Sequence, residues 1–375
     1  MNIMFYTPFS LRSRDTEVVM REFKRHGHWV VHVSQSDGEP FNSILKSYGI
    51  FVISHNKTPF EGVKGVLKLL MQCLWLINYC RRKKIDLIFS HLESANFVAS
   101  VARIFMPRTR VVICRHHIDV AKLSGFDQSI TYKVTYKLAR EIIVVSEACK
   151  TYMINHERVS SERIHHINLS YDFSDLPVPS LETVSALRGR FKHSNLILID
   201  ACNLVEYKRP LLLIDLVFRL RAKHVKVSLY LLGTGPLLNS ARAKVKALDL
   251  QDDIIVTGYV SNVLDYIAAA DLVIHPSVSE SSCVFFKEAA FLGKPAIVCS
   301  GVGDFDDIIE SGESGYLLSC SDFLETATEI VQSYVSRPRD LEKLGKRAKS
   351  VVLKNFSIKN NIKNYDKYLH DDIVR

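Results

Sequence analysis

No two cysteines in this 375-residue chain have C-x-x-C spacing; Cys73, Cys80, Cys114, Cys149, Cys202, Cys283, Cys299 and Cys320 sit singly in apolar runs. That scatter argues against a disulfide framework or a cysteine-rich metal module and predicts buried, reduced thiols. The opening residues, Ile3-Met4-Phe5-Tyr6-Thr7-Pro8, lack the basic start, apolar stretch and cleavage site of a secretory leader. They read as a buried strand entering a turn, and a cytoplasmic protein is expected. Residues 66–80 are apolar apart from Lys68, Gln72 and Asn78, a run too short for the roughly 20 residues that span a bilayer. Lysines and arginines are nowhere interleaved with stacking aromatics in a compact motif, which argues against nucleic acid as a partner. His, Cys and Asp form no cluster at metal-ligand spacing, so no metal cofactor is expected.

What is present is average for a folded protein: 47% hydrophobic and 24% charged residues leave no case for extensive disorder. The length is large for one core and suggests two domains. The net charge of +9 lies entirely in the first half, where residues 1–190 carry 26 Lys and Arg against 17 Asp and Glu, while the remainder carries 23 of each. A basic first half favours an anionic partner, either a membrane surface or a phosphate-bearing acceptor. For 63–84, two readings stand: a buried helix, or an interfacial one with Arg81, Arg82, Lys83 and Lys84 at lipid headgroups.

Short apolar runs alternate with helical patterns along both halves, Ile3–Tyr6, Trp29–Val33, Ile85–Phe89, Val111–Cys114 and Ile142–Val145 in the first. Leu196–Ile199, Val227–Leu232, Ile254–Val256, Leu272–Ile274 and Ala296–Val298 continue the habit in the second. Strands alternating with helices imply parallel sheets covered by helices. The fold class is therefore α/β with two Rossmann-like domains, 1–180 and 190–355, joined by a linker over Ser170–His193 and facing each other across a cleft. Helices are also expected at 303–310 and 322–334.

Four loops at strand ends carry candidate chemistry. Between the strand ending at Ile274 and a helix expected over Phe285–Leu292, Glu280 and Glu288 lie eight positions apart. A helix start suits phosphate, and carboxylates nearby suit sugar hydroxyls, so the pairing suggests a nucleotide-sugar site. Asn203, Lys208 and Arg209 follow the strand Leu196–Asp200. Gly233-Thr234-Gly235-Pro236 follows the strand Leu229–Leu232. His116 and His117 end the strand that begins at Val111, where an imidazole can bind a hydroxyl or move a proton near neutral pH.

The stretch from His275 to Leu318 resembles the donor-binding half of retaining glycosyltransferases of the GT-B fold, family 4, whose E-x7-E signature falls on Glu280 and Glu288. Cys202–Pro210 resembles that family's G-R-L-x-x-x-K-G loop, with Lys208 matching the lysine and Asn203 standing where arginine is usual. The resemblance implies transfer of a sugar from a nucleotide-diphosphate sugar to a saccharide or lipid-linked saccharide acceptor, with a place in polysaccharide biosynthesis. It implies catalytic roles for His116, Lys208 and Glu280. Lys208, helped by Arg209, would hold the diphosphate, Glu280 the donor sugar, and Glu288 the ribose. Gly233, Gly235, Tyr259 and Val260 would border the nucleoside, and Ser281, Ser282, Cys283 and Val284 would offer backbone groups at the helix start. On the acceptor side stand Ser10, Arg14, His91 and His117. The segment 356–375 would cross back to the first domain, with Ile362, Tyr365, Tyr368 and Leu369 at helical spacing.

Two departures from the family pattern stand out. The first loop, Pro8–Arg14, has no glycine pair, and the glycines usual after the first acid are Ser281-Ser282-Cys283. Asp304-Phe305-Asp306 spells a D-x-D, read here as coincidence, so the leaving diphosphate would rely on Lys208 and helix N-termini instead of a metal. Two alternatives stay open: another activity on the same fold, a sugar-nucleotide epimerase or sugar-phosphate synthase, and a non-catalytic nucleotide-sugar-binding subunit.

Overall fold

The computed structural model describes residues 1–9, 13–36, 38–54, 65–116 and 128–369. Ser10 and His117 lie outside them. The chain divides into two compact units, Met1–Asp172 with the chain from Phe356 onward, and Phe173–Asn355.

In the first unit, seven strands form one parallel sheet: β1 (Asn2–Thr7), β2 (Trp29–Ser34), β3 (Phe51–Ser54), β4 (Leu87–His91), β5 (Arg110–Arg115), β6 (Glu141–Val144) and β7 (Ile164–His166). Their order is β3-β2-β1-β4-β5-β6-β7. Side chains alternate across a strand, so Ile3 and Phe5 of β1 enter one buried cluster while Met4 and Tyr6 enter another on the opposite face. Helices on both faces explain why the strands read as unbroken apolar runs. From Phe356 the chain rejoins this unit: Tyr171 N donates to Phe356 O at 2.7 Å and Ile358 N to Tyr171 O at 3.0 Å. The returning segment is short pieces, Ile358–Asn361, a 3-10 turn Ile362–Tyr365 and Asp366–Leu369. Tyr365 and Tyr368 pack edge-on against Phe89.

The second unit holds a six-stranded parallel sheet of β8 (Leu196–Ala201), β9 (Val227–Leu232), β10 (Ile254–Gly258), β11 (Leu272–His275), β12 (Ala296–Cys299) and β13 (Gly315–Leu318), in the order β10-β9-β8-β11-β12-β13. Order reverses at β8, which pairs with β9 on one side and β11 on the other. Ligands of open α/β sheets bind beyond the carboxyl ends at such a reversal. Both units are thus Rossmann-like.

Several elements differ from the sequence reading. The expected linker contains a helix, Leu181–Gly189, started by Ser180 accepting a hydrogen bond from Thr183 N. Residues 303–310 form turns and no helix, because Gly301 and Gly303 take left-handed backbone and Asp304 turns inward. The edge strand β3, with Phe51 54% exposed, lacks the two-sided burial that makes a strand legible. Helix Gly65–Lys83 is mixed: Gln72, Cys73, Leu76, Ile77 and Cys80 are buried, whereas Leu67, Leu70 and Leu74 are exposed. No helix among the described residues is long and apolar enough to cross a membrane.

Candidate active site

The loops leaving β8 and β11 meet at the order reversal. Val278 N donates to Tyr207 O at 2.9 Å, which ties 203–209 to 276–279. A second tie comes from Gly233 and Gly235, where a Cβ would lie 1.9 Å from Cys202 O and 2.6 Å from Leu204 O respectively. Glycine is needed here for backbone approach, and Leu204 N bonds to Thr234 O at 2.8 Å across the same contact.

Within this frame Lys208, Glu280, His275 and Asp200 form one charged chain. Glu280 Oε1 takes an ion pair from Lys208 Nζ and a 2.7 Å hydrogen bond from His275 Nε2. The other ring nitrogen, Nδ1, donates to Asp200 Oδ1 at 2.7 Å. Ionised carboxylates only accept, so both ring nitrogens carry protons and His275 is an imidazolium. Burial by itself would lower its pKa, but Asp200 and then Glu280 hold it up at about 9. Burial would likewise raise Glu280, yet His275 and Lys208 bring it down to about 2. Lys208 is raised despite burial, chiefly by Glu280. Asp200 and His275 are essentially buried and Glu280 and Lys208 partly so, and the opposite charges compensate one another, the condition under which such a network persists.

Glu288 is buried on helix Val284–Phe291. Ahead of that helix, Ser281, Ser282 and Cys283 have none of the positive φ values that would call for glycine, and Cys283 is extended at φ −83° and ψ 109°. Ser282 Oγ donates to Asp304 Oδ2 at 2.7 Å and accepts from Lys287 Nζ at 2.7 Å, while Lys287 and Asp304 form a fully buried ion pair. Asp306 Oδ2 accepts from Gly301 N at 2.7 Å. The two acids of the D-x-D thus hold separate pieces of backbone and side chain.

Arg209, expected at the diphosphate, has all three guanidinium nitrogens occupied, by Pro276 O at 2.6 Å, Cys320 O at 2.8 Å and Cys299 Sγ at 3.0 Å. Its left-handed backbone, φ 51°, turns it into a brace between loops. Asn203 and Tyr259 are exposed, and Val260 is half-buried. In the first unit, His91 Nδ1 and His116 Nε2 are 2.9 Å apart at the carboxyl ends of β4 and β5. Burial, then His116, keeps His91 well below the usual histidine range and therefore neutral. Arg14 opens helix Arg14–Arg25 and is exposed.

Sequence reasoning assigned no role to Asp200 or His275. The available signal was a charged or polar residue ending each of two otherwise apolar strands. It also missed a spatial trio, His275, Glu280 and Cys283, with candidate ligand atoms within 4.8 Å of one another. Burial pushes the Cys283 thiol up to about 12.

Gly303 presses on this network: its φ is 61°, and a Cβ would sit 2.8 Å from Glu280 Cβ, whereas at Gly301, φ 70°, a Cβ meets nothing within 4 Å. Gly301→Ala therefore carries only the left-handed strain of about 1 kcal/mol. Gly303→Ala is expected to lower the melting temperature further, because it displaces Glu280. Equal melting temperatures for the two variants would contradict this.

A family model described as Glycosyl transferases group 1 matches residues 188–351, and one described as Glycosyltransferase Family 4 matches residues 16–174. The chain is 24% identical over 296 residues to N-acetyl-alpha-D-glucosaminyl L-malate synthase of Bacillus anthracis, covering 78% of this chain and 76% of that one. It is 25% identical to the N-acetylgalactosamine-N,N'-diacetylbacillosaminyl-diphospho-undecaprenol 4-alpha-N-acetylgalactosaminyltransferase of Campylobacter jejuni, covering 67% of each. Among solved structures, Anabaena Alr3699/HepE in complex with UDP superposes with a TM-score of 0.81 at 19% identity, over 98% of this chain and 99% of that one. The same protein has also been solved with UDP-glucose. Matching models over both units, together with a shared two-sheet architecture, place this chain in the group 1 glycosyltransferases of the GT-B fold.

Proposed function

We propose that the protein is a retaining, metal-independent glycosyltransferase that moves a sugar from a nucleotide-diphosphate sugar to a saccharide or lipid-linked saccharide in polysaccharide biosynthesis. The observation that carries the proposal is the Lys208–Glu280–His275–Asp200 chain at the carboxyl ends of β8 and β11. Lys208 supplies a cation to the diphosphate as the bond from the anomeric carbon to the β-phosphate oxygen breaks. Glu280, held anionic by His275, binds donor sugar hydroxyls, and Glu288 binds the ribose. The acceptor oxygen bonds to the anomeric carbon, and its proton passes to a phosphate oxygen of the leaving group. Gly233, Gly235, Tyr259 and Val260 border the nucleoside, with backbone groups of 281–284 beside the phosphates. His116 works at the donor sugar, while Ser10, Arg14, His91 and His117 meet the acceptor.

The HepE complexes with UDP and UDP-glucose make uridine diphosphate sugars the first donors to try. The basic first half suits an acceptor presented at an anionic membrane surface, with Arg81, Arg82, Lys83 and Lys84 in contact. A panel of nucleotide sugars, read by melting temperature and by slow donor hydrolysis, tests the core of the proposal. At a hundred times its dissociation constant a true donor adds about 2.7 kcal/mol. Stabilisation with hydrolysis supports a transferase. Stabilisation with no turnover in the presence of any acceptor points to the binding subunit, and no response to any nucleotide sugar rejects both.

A further inference from the structure

We infer that the first unit has an anion site at the amino ends of its strands, the end of the sheet remote from the histidine pair, and that this site takes the phosphate of an anionic lipid headgroup. β5 opens on Arg110 and β6 on Glu141, so the pocket of about 560 Å³ beside them lies at the amino ends of the strands. His91 and His116 stand at the carboxyl ends, where substrates of such sheets bind. The pocket is therefore separate from the acceptor site; the inference rests on the membrane contact proposed above and not on the transfer chemistry.

Four guanidinium groups, Arg103, Arg108, Arg110 and Arg140, line this pocket against one carboxylate, Glu141. Arg110 forks onto Glu141 at 2.7 and 2.6 Å and donates to Lys367 O at 2.9 Å. Arg103 donates to Leu138 O at 3.0 Å. Arg108 and Arg140 are exposed, and among the described residues neither side chain has a hydrogen-bond acceptor. Burial, and next Arg140, lower the pKa of Arg103: like charges converge here, and a bound anion relieves that repulsion. The planar guanidinium fork matches phosphate oxygens.

The surroundings select a lipid over a free phosphate. Ile104, on the pocket wall, and Phe105 next to it are each 55% exposed. Phe105 O accepts from Arg81 Nη2 at 3.0 Å, which joins the pocket to the end of helix Gly65–Lys83. On that helix Leu67, Leu70 and Leu74 are 60%, 54% and 67% exposed. Their spacing makes one stripe roughly 10 Å long, and the last turn adds exposed Arg81, Arg82 and Lys83. A soluble phosphate would engage the arginines and leave the leucines in water. A bilayer surface engages both, with apolar side chains at the acyl boundary and cations at phosphate depth.

Co-sedimentation of the full chain with vesicles of phosphatidylglycerol and phosphatidylcholine, against phosphatidylcholine alone, tests this. The wild type is expected to bind only the anionic vesicles, and more weakly as salt rises. Replacing both Arg108 and Arg140 with alanine is expected to lower the partition coefficient about thirtyfold, at about fivefold per surface arginine. The melting temperature should stay unchanged, since neither side chain is paired. Leu70→Ser with Leu74→Ser is expected to lower binding about tenfold or more. Wild-type indifference to anionic vesicles, or undiminished binding by either double variant, overturns the inference. Should soluble pyrophosphate alone raise the melting temperature in an Arg108- and Arg140-dependent way, the pocket belongs to a free phosphate and the lipid assignment fails.

Discussion

Replacing Lys208 with alanine is expected to lower kcat about 10²–10³-fold, with a smaller change in KM, the usual scale for deleting one preorganised group aimed at transition-state charge. The ammonium lies on Glu280 Oε1, while Cys202 of the same loop donates to Asp200 Oδ2 at 3.4 Å. Glu280 has a second, independent donor in His275 Nε2. Lys208 can therefore turn to a diphosphate without leaving Glu280 as a bare buried anion. Donor hydrolysis and transfer, measured with the nucleotide sugar found by melting temperature, provide the readout. A Lys208→Ala enzyme within threefold of wild type in kcat would remove the lysine from the proposed mechanism.

His275→Ala is expected to be the most destabilising single change at the site. It strands Asp200, which is fully buried, without its 2.7 Å partner. Breaking one side of a buried ion pair typically costs about 3–5 kcal/mol, roughly 10 °C in melting temperature for a domain of this size. Adding Asp200→Asn removes the stranded charge and should restore most of the stability. Activity should stay depressed in the double variant, because Glu280 still lacks the bond that holds it. Recovery of both together would reduce the histidine to a structural role.

The same network fixes a pH response. His275 is raised from 6.5 to about 9 in the folded protein, so its contribution to stability is complete below about pH 6.5 and is lost as pH rises through about 9. Glu280 is depressed from 4.5 to about 2, so its contribution is present above about pH 4.5 and is lost as pH falls through about 2. Melting temperatures of the wild type should fall on the alkaline side, and His275→Ala should flatten that limb.

Strand positions and the loops that carry chemistry were legible in the sequence, because a strand buried on both faces forces a continuous apolar run and the polar residues just past its end must face solvent or a ligand. The two parallel sheets could be picked out in this way, whereas Lys208, Glu280 and Glu288 stand out through the resemblance of their loops to a family's motifs. Pairing lay beyond its reach. His275 meets Asp200 75 positions away only because β11 inserts beside β8, and Arg209 becomes a brace only because its left-handed turn aims it at Pro276, Cys299 and Cys320. The leucine face of Gly65–Lys83 likewise depended on which side the sheet covered. Burial on both sides leaves a local, one-dimensional record in the chain, whereas charge pairing and face selection are set by strand order and packing, which bring together residues with no local relation.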